Sequence, residues 1–302
     1  MITIKTPEEI GIMAEGGKIL ARVMKELEKK VKPGITTKEL DRVAEDLVLK
    51  SGGKCSFKGY QGFPACLCTS INEEIVHAVP SERKLKEGDI ISLDSGILYR
   101  GFHTDMAITL PVTRPGRVEK VDEAKASSPS SPAELPKEAK VKKRTNSSSP
   151  AVAGSIVDSE ILRLIQVTKK ALEIGIEKVK PGNYIGDISK AIQKYVESQR
   201  FNVVRELCGH GIGRKIHEDP QILNSVSFDE VTVDKVKYQE DAEIKLREGM
   251  VLCLEPMVTV GDWRIKKSKD GFGYETKDGS LSCHFEHTVA VFKNGSKVLT
   301  AR

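Results

Sequence analysis

Apolar residues recur at helical spacing in four stretches of this chain, and the stretches fall into two similar pairs. In the first, Ile10, Met13, Leu20, Met24 and Leu27 share one face behind Thr6-Pro7-Glu8-Glu9, a capping box in which Thr6 caps and Glu9 reaches back. Val31-Lys32-Pro33-Gly34 closes this helix, and Leu40, Val43 and Leu47 mark a second amphipathic one. The plan returns later: Ile161, Ile165, Thr168 and Leu172, then Val179-Lys180-Pro181-Gly182, then Ile185, Ile188, Ile192 and Val196. A ten-residue strand phrase also occurs twice, once over Leu85–Asp94 and once over Leu246–Glu255. Each copy is a charged turn closed by Gly, then a short apolar strand delivering an acid at its end. Each half therefore predicts helix, Pro-Gly turn, helix, strands, Gly turn, acid-bearing strand, an α+β architecture of two related halves. The copies are offset by 179 − 31 = 148 at the Pro-Gly turns and by 246 − 85 = 161 at the strand phrase, which assigns about 13 extra residues to the polar stretch 225–243.

Between the halves the pattern stops. From Thr113 to Ser155 there are eight Ser, five Pro and no aromatic residue, and basic residues outnumber acidic ones by nine to five. Such a segment buries too little apolar surface to offset its ordering entropy, so it reads as an exposed insert with a net positive charge. The 302 residues then divide into half one at 1–112, an insert at 113–155 and half two at 156–302, forming a single domain. A hydrophobic share of 39% supports a sizeable core, and 30% charged residues suit a cytoplasmic protein. No apolar run approaches the roughly 18 residues of a membrane span, and the first residues lack the apolar stretch of a secretion signal. Net charge is only +5, too mild to argue for nucleic acid. Six cysteines (Cys55, Cys66, Cys68, Cys208, Cys253, Cys283) without a Cys-x-x-Cys pair predict reduced thiols.

The candidate chemistry lies in the acids. Asp94 precedes Asp105 by eleven residues, with Gly96 and Gly101 between them, a spacing that suits an antiparallel hairpin with both acids on one face. Glu255 ends the second strand phrase, and Glu286 lies on the returning strand His284–Val291, whose counterpart in half one begins at Asp105. His210, between Gly209 and Gly211, adds an imidazole that the glycines should leave accessible. Four carboxylates in one pocket repel each other unless cations intervene, and two divalent ions balance the charge. An oxygen-rich set with one nitrogen suits Mn, Fe, Co or Zn, in the arrangement of two-metal hydrolases.

With these residues in view the chain resembles type I methionine aminopeptidases of the pita-bread fold, members of the M24 metallopeptidases, over residues 1–112 and 156–302. The motifs are Gly-Tyr-Gln-Gly-Phe-Pro (59–64), Ser-Ile-Asn-Glu-Glu-Ile-Val-His (70–77), the Asp94/Asp105 hairpin, Gly-His-Gly-Ile-Gly-Arg (209–214), Glu-Pro-Met (255–257) and Glu-His-Thr (286–288). The resemblance implies that Asp94 chelates one metal, His210 and Glu255 the other, and that Asp105 and Glu286 bridge both. It further implies removal of the initiator methionine when the second residue is small, by attack of a bridging hydroxide on the first peptide carbonyl. Glu255 would move the proton, while His77 and His217 would bind substrate and the developing oxyanion. Motif matching puts Tyr60, Phe63, Cys68 and Phe272 in the methionine pocket with Phe57 nearby, and leaves His103, His284 and His287 outside the ligand set as supporting or surface groups. Phe272 stands where many relatives carry Trp.

The implied partners are the N-termini of nascent polypeptides, with ribosome contact through the basic insert as an addition. The implied state is a monomer. Two other readings compete. Aminopeptidase P and prolidase share the five ligands but carry a sizeable N-terminal domain, whereas the first helix here starts by residue 7. Pita-bread binding proteins that have lost catalysis usually lack ligands, and all five are present.

Overall fold

The protein, described here by a computed structural model, is resolved over residues 2–114, 159–226 and 235–301. Most of the 113–155 insert and residues 227–234 of the longer second-half segment lie outside the described residues. The segment 235–242 forms a short helix that the sequence pattern did not predict.

The four expected helices span Pro7–Glu28, Thr37–Lys50, Ser159–Lys178 and Ile185–Ser198. Thr6 and Glu9 cap the first helix reciprocally, and a second capping box, Thr36 with Glu39, starts the next one. One apolar face of the first pair, carrying Leu20, Met24, Leu27, Leu40 and Val48, packs on Leu67, Leu93, Ile97 and Met106 of the sheet. The second pair repeats the arrangement with Leu164, Leu172, Ile188, Ile192 and Val196 over Leu252, Leu254 and Val289. Phe285 touches both clusters and joins the two cores across the middle.

The helices cover a nine-stranded sheet, antiparallel at every pairing, in the order Lys54–Cys55, Ile90–Tyr99, Phe102–Pro111, Glu286–Phe292, Val251–Leu254, Cys208–Gly211, Glu218–Leu223. Leu67–Ile71 also pairs with Ile90–Tyr99, and Gly295–Val298 with Glu286–Phe292. The duplication legible in the sequence is a duplication of backbone. Gly34 and Gly182 take φ of +93° and +96°, and Gly88 and Gly249 take +90° and +87°, the left-handed region that glycine enters without a Cβ penalty. The Leu85 amide bonds to the Ile35 carbonyl (2.9 Å) as the Leu246 amide does to that of Asn183 (2.8 Å).

Within the large sheet the halves meet at a seam where Phe102–Pro111 pairs with Glu286–Phe292. Two buried threonines lock it. The Thr288 hydroxyl accepts from the Asp105 amide (2.9 Å) and donates to the Asp105 carbonyl (2.8 Å). Across the seam the Thr109 hydroxyl accepts from the His284 amide (3.0 Å) and donates to its carbonyl (2.6 Å).

One sequence expectation is corrected. Cys55 and Cys66 form a disulfide with Cα atoms 5.1 Å apart, while Cys68, Cys208, Cys253 and Cys283 are not disulfide-bonded. Cysteine spacing could not show this, because Cys55 is fixed by its pairing with Ile97 and Cys66 by Asp41, which accepts the amides of Cys66 and Leu67. Tertiary structure brings the two thiols together.

Replacing Thr288 by Val keeps its volume but strands a buried amide and carbonyl at the seam. The change should lower the unfolding free energy of the metal-free protein by about 2–4 kcal/mol. Urea denaturation checks this, and an unchanged midpoint would show that the seam does not depend on the clamp.

Candidate metal centre and substrate cleft

Strand register delivers the acids to one place. Asp94 sits opposite Ala107 in the hairpin and Gly96 opposite Asp105, so both carboxylates project from one face of the paired strands. Glu286 also lies opposite Ala107, across the seam, which sets it beside the two aspartates. Oxygens of Asp94, Asp105 and Glu286 lie within 4.8 Å of one another. A second group within the same limit joins His210, Cys253 and Glu286, so Glu286 belongs to both. Glu255 completes the cluster, with its Oε1 3.6 Å from His210 Nε2. The five expected ligands are thus brought together, and Cys253, which sequence reasoning did not single out, stands among them. Its thiol contacts the Thr288 hydroxyl (3.6 Å).

His210 departs from expectation in one respect. Its imidazole is buried, with Nδ1 2.9 Å from the Gly211 carbonyl oxygen. The flanking glycines serve the backbone instead. A Cβ on Gly209 would stand 2.2 Å from the Cys253 carbonyl oxygen, and one on Gly211 2.1 Å from that of Asp219. These glycines let three strands close around the imidazole.

The electrostatics favour a cation. Asp94, Asp105 and Glu286 are each 6% exposed or less, and Asp94 Oδ1, Asp105 Oδ1 and Glu286 Oε1 have no hydrogen-bond partner. Burial is the main force raising the pKa of all four acids. Mutual repulsion adds to it at Asp94, Glu255 and Glu286. His210 goes the other way, to about 3, chiefly through burial and then through His217, so it presents a neutral nitrogen. Orphaned carboxylate oxygens and a neutral imidazole are the donor set that divalent ions such as Mn, Fe, Co or Zn accept. The residues fit such ions.

Beside the cluster opens a cleft of about 970 Å³. Its apolar side is built by Phe57, Phe63, Cys68 and Phe272, with Phe63 edge-on to both Phe57 and Phe272 at centroid distances of 6.4 and 5.5 Å. Cys68 pairs with Asp94, so this wall is one strand away from the acid cluster. Tyr60 stands at the rim, its hydroxyl 3.0 Å from His217 Nδ1, and the His217 ring lies edge-on to His210 at 4.4 Å. His77 holds a left-handed backbone, φ +60°, and presents an exposed imidazole to the cleft near Tyr274. A non-glycine residue in that region is a strain often found at functional sites.

The structure adds residues that sequence reasoning missed. Val76, Leu207, Met257 and Tyr274 also line the cleft. Lys5 and Glu218, both buried, form an ion pair (2.7 Å) that ties the N-terminal segment to the loop carrying His217. Of the histidines set aside, His103 turns to Ser56 (2.9 Å) and His287 to Thr300 (2.9 Å). His284 does not behave as a surface group: it is 1% exposed, with Nε2 3.8 Å from Glu255 Oε2.

Metal-free protein should show a distinctive pH dependence. The buried imidazoles of His210 and His284, both held down to about 3 and ordinarily near 6.5, contribute stability that grows as pH rises toward 6.5. The four acids, held above their ordinary range, contribute stability that is present in acid and lost as pH climbs through their raised range. Above about pH 6.5 only the second trend remains, so the melting temperature should fall toward about pH 8, and saturating Mn(II) or Co(II) should abolish the fall. Scanning calorimetry with and without metal checks this; a flat or rising metal-free profile would contradict it.

Comparison with known proteins agrees with this geometry. The profile of metallopeptidase family M24 matches residues 11–126 and 149–293. A methionine aminopeptidase from Bacillus subtilis is 40% identical over 300 residues, covering 99% of both chains, and one from Clostridium perfringens is 39% identical with the same coverage. The crystal structure of a methionine aminopeptidase from Thermotoga maritima superposes with a TM-score of 0.79 at 36% identity, covering 100% of each chain. A prolidase from Pyrococcus furiosus, at 20% identity and a TM-score of 0.64, covers 99% of this chain and 65% of its own, and shares the fold alone.

Proposed function

The chain belongs to metallopeptidase family M24, with the pita-bread fold, and from that premise we propose that it is a methionine aminopeptidase. It removes the initiator methionine from nascent proteins when the second residue is small, using two divalent ions. The observation that carries this reading is the pairing of two ligand groups sharing Glu286 with an aromatic pocket one strand away.

Asp94, Asp105 and Glu286 would hold one ion, and His210, Glu255 and Glu286 would hold the other, Asp105 reaching both. When bound, such ions acidify a water molecule and polarise the scissile carbonyl. The rest falls to the protein. Phe63, Phe272 and Cys68 receive the methionine side chain, whose polarizable sulfur gains from aromatic edges. The free α-amine is taken beside Asp94, which limits cleavage to a single residue. His217 is oriented through Nδ1 by the Tyr60 hydroxyl, leaving Nε2 to face the substrate carbonyl oxygen. His77 contributes the second imidazole along the same path. Glu255 takes the proton of the attacking water and returns it to the leaving amine.

The rim formed by Tyr60, His77 and His217 is where the second residue must pass, which supports selection for a small one. No helix among the described residues is long and apolar enough to cross a membrane. A cytoplasmic monomer meeting nascent N-termini is the setting this reading implies, with ribosome contact through the basic insert part of the same proposal.

Metal-reconstituted protein should cleave Met-Gly-starting peptides and spare Met-Leu- and Xaa-Pro-starting ones in a turnover assay. Cleavage of Xaa-Pro peptides would instead favour a prolidase-like activity, and no cleavage with any metal would favour a binding protein. Glu255→Gln should lower kcat by about 10²-fold or more, the usual scale of general acid–base catalysis. Wild-type turnover by this variant would remove Glu255 from the mechanism.

A further inference from the structure

The two-fold relation between the halves can be traced residue by residue at the seam. Ala107 faces Asp94 on one side and Glu286 on the other, while His287 faces Leu254 and Met106. This register equates Asp94 with Glu255 and Ala107 with Glu286. It also equates Thr109 with Thr288, and the threonine clamps agree, because Thr288 grips the backbone of Asp105 as Thr109 grips that of His284. His284 is therefore the second-half equivalent of Asp105. The fold delivers its side chain to the metal cluster by the same device that delivers a bridging ligand.

The surroundings of the ring suit a working group better than a packing one. His284 is 1% exposed, and neither Nδ1 nor Nε2 has a hydrogen-bond partner. Burying two unpaired ring nitrogens is costly unless something at the site engages them. The nearby carboxylate is that of Glu255, flanked by two imidazoles: His210 Nε2 lies 3.6 Å from Oε1 and His284 Nε2 lies 3.8 Å from Oε2. With its backbone clamped by Thr109, the ring can adjust only by side-chain rotation.

We propose that His284 is a positioning residue for Glu255, donating its ring N–H to the carboxylate oxygen turned away from His210. This fixes the plane in which Glu255 meets both the metal and the proton it moves. The inference rests on the metal assignment proposed above.

The test compares wild-type protein with His284→Leu and His284→Gln, each checked for folding by circular dichroism and thermal melting. Affinity for Mn(II) is measured by calorimetry, the ligand field by the visible spectrum of the Co(II) form, and turnover with a Met-Gly peptide. His284→Leu should weaken metal binding by about 10–100-fold, the usual effect of removing a group that orients a ligand, and should shift the Co(II) spectrum. It should also lower kcat more than it changes KM. His284→Gln keeps a neutral donor and should recover most of the loss. A folded Leu variant with wild-type Mn(II) affinity and an unchanged Co(II) spectrum would overturn the proposal, as would equal losses in both variants. These readouts need no peptidase activity. If the wild type binds metal but cleaves no peptide, the functional reading fails while the role of His284 stands or falls by affinity and spectrum.

Discussion

Everything at the centre of this protein follows from four carboxylates held in one buried place. Asp94, Asp105 and Glu286 are withdrawn from water, and Glu255 sits beside them against His210. Burying charges of one sign together is unfavourable by solvation and by repulsion alike. The arrangement persists because strands that are well paired and covered by helices leave the side chains no other direction to point. The energy of the hydrophobic layers is what holds the acids in a position they would otherwise avoid. Divalent cations relieve the strain, and this couples metal binding to stability.

The frame that imposes this geometry is a duplication with deliberate-looking breaks. Turn glycines, helix pairs and strand phrases repeat between the halves, and so do the seam threonines. The departures lie where chemistry is needed. Glu286 replaces an alanine equivalent and so can serve both ligand groups. His210 comes from a strand beyond Glu255 and provides the neutral nitrogen. The cleft is equally one-sided: the aromatic loop around Tyr60 and Phe63 is set against Phe272 and closed at its base by the Cys55–Cys66 disulfide. Symmetry builds a rigid cluster, and asymmetry gives it a substrate side.

Much of this was legible in the chain. The capping box at Thr6, the four amphipathic faces, the paired Pro-Gly and Gly turns and the Asp94/Asp105 hairpin all use local rules whose signals lie within a few residues. The motifs also singled out the five residues that the fold gathers around the cluster and the aromatic wall beside it. What escaped were contacts set by tertiary structure: the Cys55–Cys66 disulfide, the Lys5–Glu218 pair, and Cys253 at the edge of the cluster. His210 was expected to be accessible on the strength of its glycines, whereas those glycines make room for neighbouring carbonyls.

His284 marks the boundary between the two kinds of information. As a residue in a strand it reads as one of six histidines, with nothing to separate it from His287 three positions on. Sequence determined the elements, their duplication and the acids and imidazole that the strands present, because periodicity, capping and turn chemistry are local. Only the tertiary structure decided which side chains share the buried space around Glu255, because that depends on the register at the seam, where residues some 180 positions apart are brought opposite each other.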